Sequence, residues 1–195
     1  RADGSFLSEE GINIDMTPVK SGERYFYVWS HRKNIGTPLD TGSMLMIAEF
    51  DPVHPERLTS EPKCLSRPLY GFENTEHTIN NEGPYAFYYH NKIYLAYSGG
   101  DARGYLYAIG MLTANDGDNL CDLSVWEKAK TPIASFATIP GEYGPGHNSF
   151  FWDRDQNLWI AYHAVTSFEE KIVSSGMRRV YFEQDKTPRF DVIVE

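Results

Sequence analysis

Residues 80–98, NNEGPYAFYYHNKIYLAYS, decide the fold. After the carboxylate of Glu82 come Gly83 and Pro84, whose small side chains keep neither a ligand nor another backbone at a distance. Aromatic and β-branched residues then continue at strand-like spacing on both sides of His90-Asn91, a polar pair that reads as a turn. The stretch predicts a buried hairpin with Glu82 at its mouth.

Two further stretches share this layout. DMTPVKSGERYFYVWS (15–30) precedes it and HNSFFWDRDQNLWIAYH (147–163) follows it. Each opens on an ionisable residue and passes through small or turn-prone residues to a polar turn (Ser21-Gly22, His90-Asn91, Asp153 to Asn157). Each then closes on an alternating aromatic strand ending in Ser or His. The openings at Asp15, Glu82 and His147 are 67 and 65 residues apart, and such self-similarity marks a repeat architecture. Further strands lie between and after the hairpins: SMLMIAEF (43–50) and KCLS (63–66), YLYAIGMLTA (105–114) and VWEKA (125–129), RRVYFEQ (178–184) and RFDVIVE (189–195). Each unit, starting near residues 11, 79 and 144, offers about four strands, the content of one propeller blade. The period exceeds the roughly 40–50 residues of common blade repeats. The surplus goes into loops on one face, where binding residues concentrate.

Composition agrees with an all-β reading. The 195 residues suffice for one domain with a sizeable core, and 14% are aromatic, with 16 Gly and 11 Pro spread along the chain, which suits short strands joined by turns. A formal charge of −9 without a basic cluster argues against nucleic acid and other polyanions. No apolar run reaches membrane-spanning length, so neither nucleic acid nor membrane is expected as a partner. The two cysteines, Cys64 and Cys121, lack metal-ligand spacing and read as a pair of buried thiols ahead of a single bridge.

In a propeller the first strand of each blade lies nearest the axis, so equivalent positions on successive first strands converge at one end of the channel. Asp15, Glu82 and His147 would face one another there. Two acids and an imidazole form a constellation suited to acid/base chemistry.

NEGPY around Glu82, YLAYS, AIGMLTA, DLSVWEKAKTPI and above all EYGPGHNSFF (142–151) resemble the family 43 glycoside hydrolases. These five-bladed propellers release arabinose or xylose units from plant cell-wall polysaccharides. The resemblance runs from about Ile14 to Phe190, and NEGP together with GPGHNS carries it, since either motif alone is weak. It implies that Glu82 is the general acid and that Asp15 is the second carboxylate, which orients the acid and modulates its pKa. It implies that His147 is an axial histidine beside a calcium or sodium ion, directly or through water, and that no organic cofactor is needed. It also places Arg178 or Arg179 near the sugar; strand alternation lets only one of the two point inward. Trp29 and Phe151, near the repeat openings, are the candidate subsite walls. A secreted or periplasmic location and a glycan substrate follow from the same resemblance.

One element of the family pattern is missing. An inverting glycosidase needs a further carboxylate, a general base that activates water on the opposite face of the sugar. Its motif would lie upstream of Asp15, where RADGSFLSEEGIN (1–13) is too short for a blade and sets Asp3, Glu9 and Glu10 in a polar, loop-like context. Residues 1–195 therefore read as one partial propeller domain, about three of five blades. A missing N-terminal segment, a second chain or a symmetry mate would complete it, and exposed strand edges would favour association.

Plainer readings compete at each position. Glu82 could cap backbone N–H groups at the axis, Asp15 could cap a hairpin, and His147 could be a hydrogen-bonded core histidine with no metal. His163 reads as the structural end of a strand, and the four tryptophans more often pack blades than sugars. Two functional readings stand: an inverting α-L-arabinofuranosidase, with β-xylosidase or arabinanase as close alternatives, and a non-catalytic or carbohydrate-binding partial propeller awaiting its base.

Overall fold

The computed structural model describes residues 11–167, 169 and 172–191. The predicted hairpins form where the alternation placed them. β1 (Ile12–Ser21), β2 (Arg24–Arg32), β3 (Met44–Phe50) and β4 (Lys63–Ser66) make one antiparallel sheet in that order. A two-stranded ribbon, β5 (Asn74–Thr75) and β6 (Thr78–Ile79), leads into the second sheet. That sheet comprises β7 (Asn81–Tyr89), β8 (Lys92–Gly99), β9 (Ala108–Asn115) and β10 (Glu127–Lys128). The third sheet contains β11 (Tyr143–Trp152), β12 (Leu158–Val165) and β13 (Val173–Arg179), followed by a ribbon of β14 (Tyr181–Phe182) and β15 (Pro188–Arg189). β1 and β11 both lie against β7, so the three first strands surround an axis and the sheets are neighbouring propeller blades.

Sequence explains the stacking. On one side of the second blade, Ile93, Leu95 and Leu112 pack against Phe26, Val28, Leu45 and Ile47 of the first. On its other side, Phe87, Tyr94 and Met111 pack with Phe150, Leu158 and Ile160 of the third. A strand covered on both faces has no polar face to alternate with, hence the nearly continuous apolar run IYLAY in β8. Burying each such Leu or Ile contributes roughly 1.5–3 kcal/mol.

Among the described residues, the first and third blades each pack against a neighbouring blade on one side only. Tyr27, Leu95 and Ile160 stand three residues before Ser30, Ser98 and His163, which pair with Ile14, Glu82 and Gly146 at the same end of their blades. Leu95 and Ile160 are buried, whereas Tyr27 is half-exposed, stacked on Phe50 at 3.8 Å between ring centroids. Its outward face, with Trp29 and Met46, borders a cleft of about 690 Å³.

The third unit departs from the sequence reading. Its third strand is VSSGMRR rather than RRVYFEQ, because its outward residues Val173, Ser175, Met177 and Arg179 are exposed. No apolar alternation is needed there. Residues 178–184 are split between the end of β13 and β14. The carboxylates Asp3, Glu9 and Glu10 and the end of RFDVIVE lie outside the described residues. VWEKA shortens to the two residues of β10, after a single 3-10 turn at Leu123–Val125. Both cysteines are free thiols, Cys121 buried and Cys64 half-buried.

Candidate active site

Each first strand carries a β-bulge at the same place. The pairing skips between Ile14 and Thr17, between Glu82 and Tyr85, and between Gly146 and Ser149. The first residue of each bulge is left-handed: Asp15 at φ 56°, Gly83 at φ 56° and His147 at φ 50°. A bulge re-aims side chains and tightens the twist, and here three of them turn toward one axis. The equivalence differs by one residue from the sequence repeat. Asp15 corresponds to Gly83 and His147, while Glu82 corresponds to Ile14 and Gly146. A bulge adds a residue that sequence alignment cannot distinguish from strand.

The offset has a steric purpose. Gly83 N–H donates to Asp15 Oδ2 at 3.1 Å, and a Cβ on Gly83 would stand 3.3 Å from His147 Nδ1. A side chain here would crowd the imidazole. His147 Nε2 lies 3.9 Å from Asp15 Oδ1, and its backbone N–H donates to Ser98 Oγ at 2.7 Å. Ser30 Oγ, the counterpart of Ser98, reaches Asp15 Oδ2 at 3.4 Å. Thus residues 15, 83 and 147, remote in sequence, are tied into one cluster. Below it the three first strands enclose a cleft of about 490 Å³ that Asp15, Gly83, His147 and Asn148 help to line.

Glu82 is held by a residue that sequence reading missed. Tyr107, fully buried just before β9, donates from its hydroxyl to Glu82 Oε1 at 2.7 Å. Burial above all, then the nearby Glu82 charge, pushes the phenol well above its ordinary range, so it remains a donor. The ring stacks on His163, centroids 5.6 Å apart, and His163 stacks in turn on His147 at 6.3 Å. Burial, reinforced by His147, pulls His163 below its usual value and keeps its imidazole neutral. A Cβ on Gly146 would come within 2.0 Å of the Tyr107 ring. The glycine before His147 therefore makes room for the tyrosine that grips Glu82.

The remaining candidates lie elsewhere. Arg178 and Arg179 pair with Ile160 and Trp159, at the end of β13 away from His163, whose partner is Ser175. Alternation does separate them: Arg178 turns inward to Glu142 Oε1 (3.0 Å) and the Tyr162 hydroxyl (3.0 Å), while Arg179 lies over the Tyr181 ring. Each guanidinium is thus engaged within the third blade and its following ribbon. Phe151 pairs with Trp159 four residues beyond His147, about 13 Å along the strand, and so is not a wall of the mouth. Trp29 donates its indole N–H to Asn13 Oδ1 at 2.9 Å and borders the cleft on the first blade's open face together with Asp15.

Among the described residues, no group of three or more His, Cys, Asp or Glu side chains could hold a metal ion. The cleft does contain an unsatisfied polar group. Asn148 is buried, and among the described residues neither its amide oxygen nor its nitrogen has a hydrogen-bond partner. Buried amides of this kind are satisfied by water or an ion. Asp15, His147 and Asn148 offer too few ligands for a protein-only calcium cage, and water would have to complete the shell.

Comparison with known proteins follows the same lines. The family model described as Glycosyl hydrolases family 43 matches residues 4–188. The extracellular exo-alpha-(1->5)-L-arabinofuranosidase of Streptomyces avermitilis is 28% identical over 94% of this chain and 38% of its own length. The enzyme of the same name from Streptomyces chartreusis is 33% identical over 80% of this chain and 45% of its own. An alpha-L-arabinofuranosidase from Lactobacillus brevis superposes with a TM-score of 0.78 at 29% identity, over 92% of this chain and 55% of that one. The chain spans less than half the length of these two curated relatives.

Proposed function

The chain belongs to glycosyl hydrolase family 43, and from that premise we propose that it forms the acid-bearing part of an extracellular, inverting α-L-arabinofuranosidase. The observation that carries the reading is the bulge cluster: Asp15 caps the amide of Gly83, the residue after Glu82, which sets a second carboxylate beside the candidate acid. The relatives named above as arabinofuranosidases favour arabinose over xylose as the sugar.

In this reading Glu82 delivers a proton to the leaving glycosidic oxygen. Tyr107 fixes which carboxyl oxygen faces the bond, because its hydrogen bond engages Oε1 and leaves Oε2 to the substrate. Asp15 is held by Gly83, Ser30 and His147. From there it orients the strand that carries the acid. Water attacks from the opposite face of the sugar, activated by a carboxylate that we assign to no described residue. A missing segment or a second chain seated on the open face of the first blade would supply it. Asn148 and His147 would hold a hydrated calcium or sodium ion, which would contribute positive charge near Asp15.

Proton NMR of the sugar first released from an aryl α-L-arabinofuranoside tests the proposal. The inverted β-arabinofuranose should appear first. Initial release of the α-anomer, or cleavage confined to β-xylosides, would overturn it.

A further inference from the structure

A second buried charge cluster lies one residue from the acid, in the seam between the first and second blades. Glu73 is completely buried in a single 3-10 turn, Gly71–Glu73. Its Oε1 accepts from Lys128 Nζ at 2.5 Å, the Tyr97 hydroxyl at 2.7 Å and Asn81 Nδ2 at 2.9 Å, and its Oε2 accepts from Tyr70 N–H at 2.8 Å. Lys128 Nζ also donates to the Arg67 carbonyl at 2.8 Å and to Asn81 Oδ1 at 3.4 Å. Ser66 Oγ completes the set, donating to Asn81 Oδ1 at 2.8 Å. Among the described residues, the hydrogen bonds of the Asn81 side chain go to this network or to its own flanking backbone, and the Asn81 N–H is bonded to the Ser43 carbonyl.

Asn81 immediately precedes Glu82 on β7. Strand alternation sends its side chain into the seam while that of Glu82 goes to the other face. Fixing Asn81 therefore fixes the Cα from which Glu82 projects. The anchors come from across both blades: Ser66 and Arg67 from the outer edge of the first, Lys128 from the outermost strand of the second. A simple core could be built from apolar residues, and a buried ion pair is weak support for stability by itself. The third blade repeats the clamp. Tyr162 donates to Glu142 at 2.5 Å and Glu142 pairs with Arg178, and both tyrosines cross over a glycine, Gly110 or Gly176, where a Cβ would collide with the ring. In each case the acid lies on the segment leading into the first strand.

We infer that Glu73 and Lys128 are positioning residues for the acid: the pair, through Asn81, holds Glu82 in register for proton delivery to a poor leaving group. This rests on Glu82 being the acid. The test uses the active protein carrying K128M and the double variant E73Q/K128M. The double variant leaves no unpaired charge buried, and isosteric removal of both partners is tolerated far better than removal of one. A displaced acid should reduce kcat on an arabinan oligosaccharide about tenfold to hundredfold, with KM and the rate on an activated aryl glycoside changed less than about threefold. Folded variants that keep the wild-type kcat on both substrates would overturn the inference. So would an equal loss on both, which marks a merely structural pair. If either variant fails to fold, Tyr97→Phe removes one donor to Glu73, keeps the ring, and carries the same comparison. Glu82→Gln run alongside separates the two readings, since a Glu82 variant insensitive to the leaving group would instead refute the acid assignment.

Discussion

Tyr107 grips Glu82: the hydroxyl of a fully buried ring donates a 2.7 Å hydrogen bond to Oε1 of a carboxyl 25 residues earlier in the chain. Removing one partner of a buried hydrogen bond costs about 1–3 kcal/mol. Tyr107→Phe keeps the ring stacked on His163 and removes only the donor. Its kcat on an oligosaccharide should fall by about 10- to 100-fold, while its melting temperature stays within a few degrees of wild type. Steady-state kinetics and a thermal melt on the same preparation check both halves.

Gly146 tests the packing behind that contact. Its missing Cβ would sit 2.0 Å from the Tyr107 ring, so Gly146→Ala must displace the tyrosine or the β11 bulge. Overpacking of this kind costs about 1–3 kcal/mol, and denaturant unfolding should show that loss of stability. Activity should fall with it, because the displaced ring is the one that orients Glu82.

The loop beside the mouth carries a pH signature. Asp40 accepts from Arg32 Nε and Nη2 and from the N–H groups of Gly36 and Gly42. The Arg32 hydrogen bonds hold its carboxyl well below the ordinary value of 3.8. A depressed carboxylate stabilises the fold above its unfolded pKa and loses that contribution as pH falls through its folded value. Asp40→Asn should therefore lower stability by about 1–2 kcal/mol at pH 7. The gap from wild type should stay constant down to about pH 5 and narrow below pH 4. Unfolding curves for the two proteins across that range measure it.

The hairpins were legible because alternation and turn chemistry are local: YAFYY and IYLAY on either side of His90-Asn91 can be little else. Asp15, Glu82 and His147 stand out in the sequence because each opens such a hairpin. What stayed hidden depends on contacts between distant segments. The bulges that make Gly83, not Glu82, the counterpart of Asp15 leave no mark in composition. Tyr107 reads as one more strand aromatic until the fold brings it to Glu82, and nothing in the sequence links Glu73 to Lys128, 55 residues away. β13 escaped for the opposite reason, since an exposed face imposes no apolar period on VSSGMRR. Which of Arg178 and Arg179 turns inward was also not legible: the register sets Arg178 against Glu142 and Tyr162 and Arg179 over the Tyr181 ring.

Glu82 as general acid is the central claim, and the dependence of its loss on leaving-group acidity tests it most directly. Glu82→Gln preserves shape and removes the proton. General acid catalysis contributes typically 10²–10⁴-fold, so hydrolysis of an arabinan oligosaccharide should fall by about that factor. An aryl arabinofuranoside whose phenol needs no proton to depart should be cleaved at a rate much closer to wild type. Equal turnover of the oligosaccharide by Glu82→Gln and wild type would contradict the account.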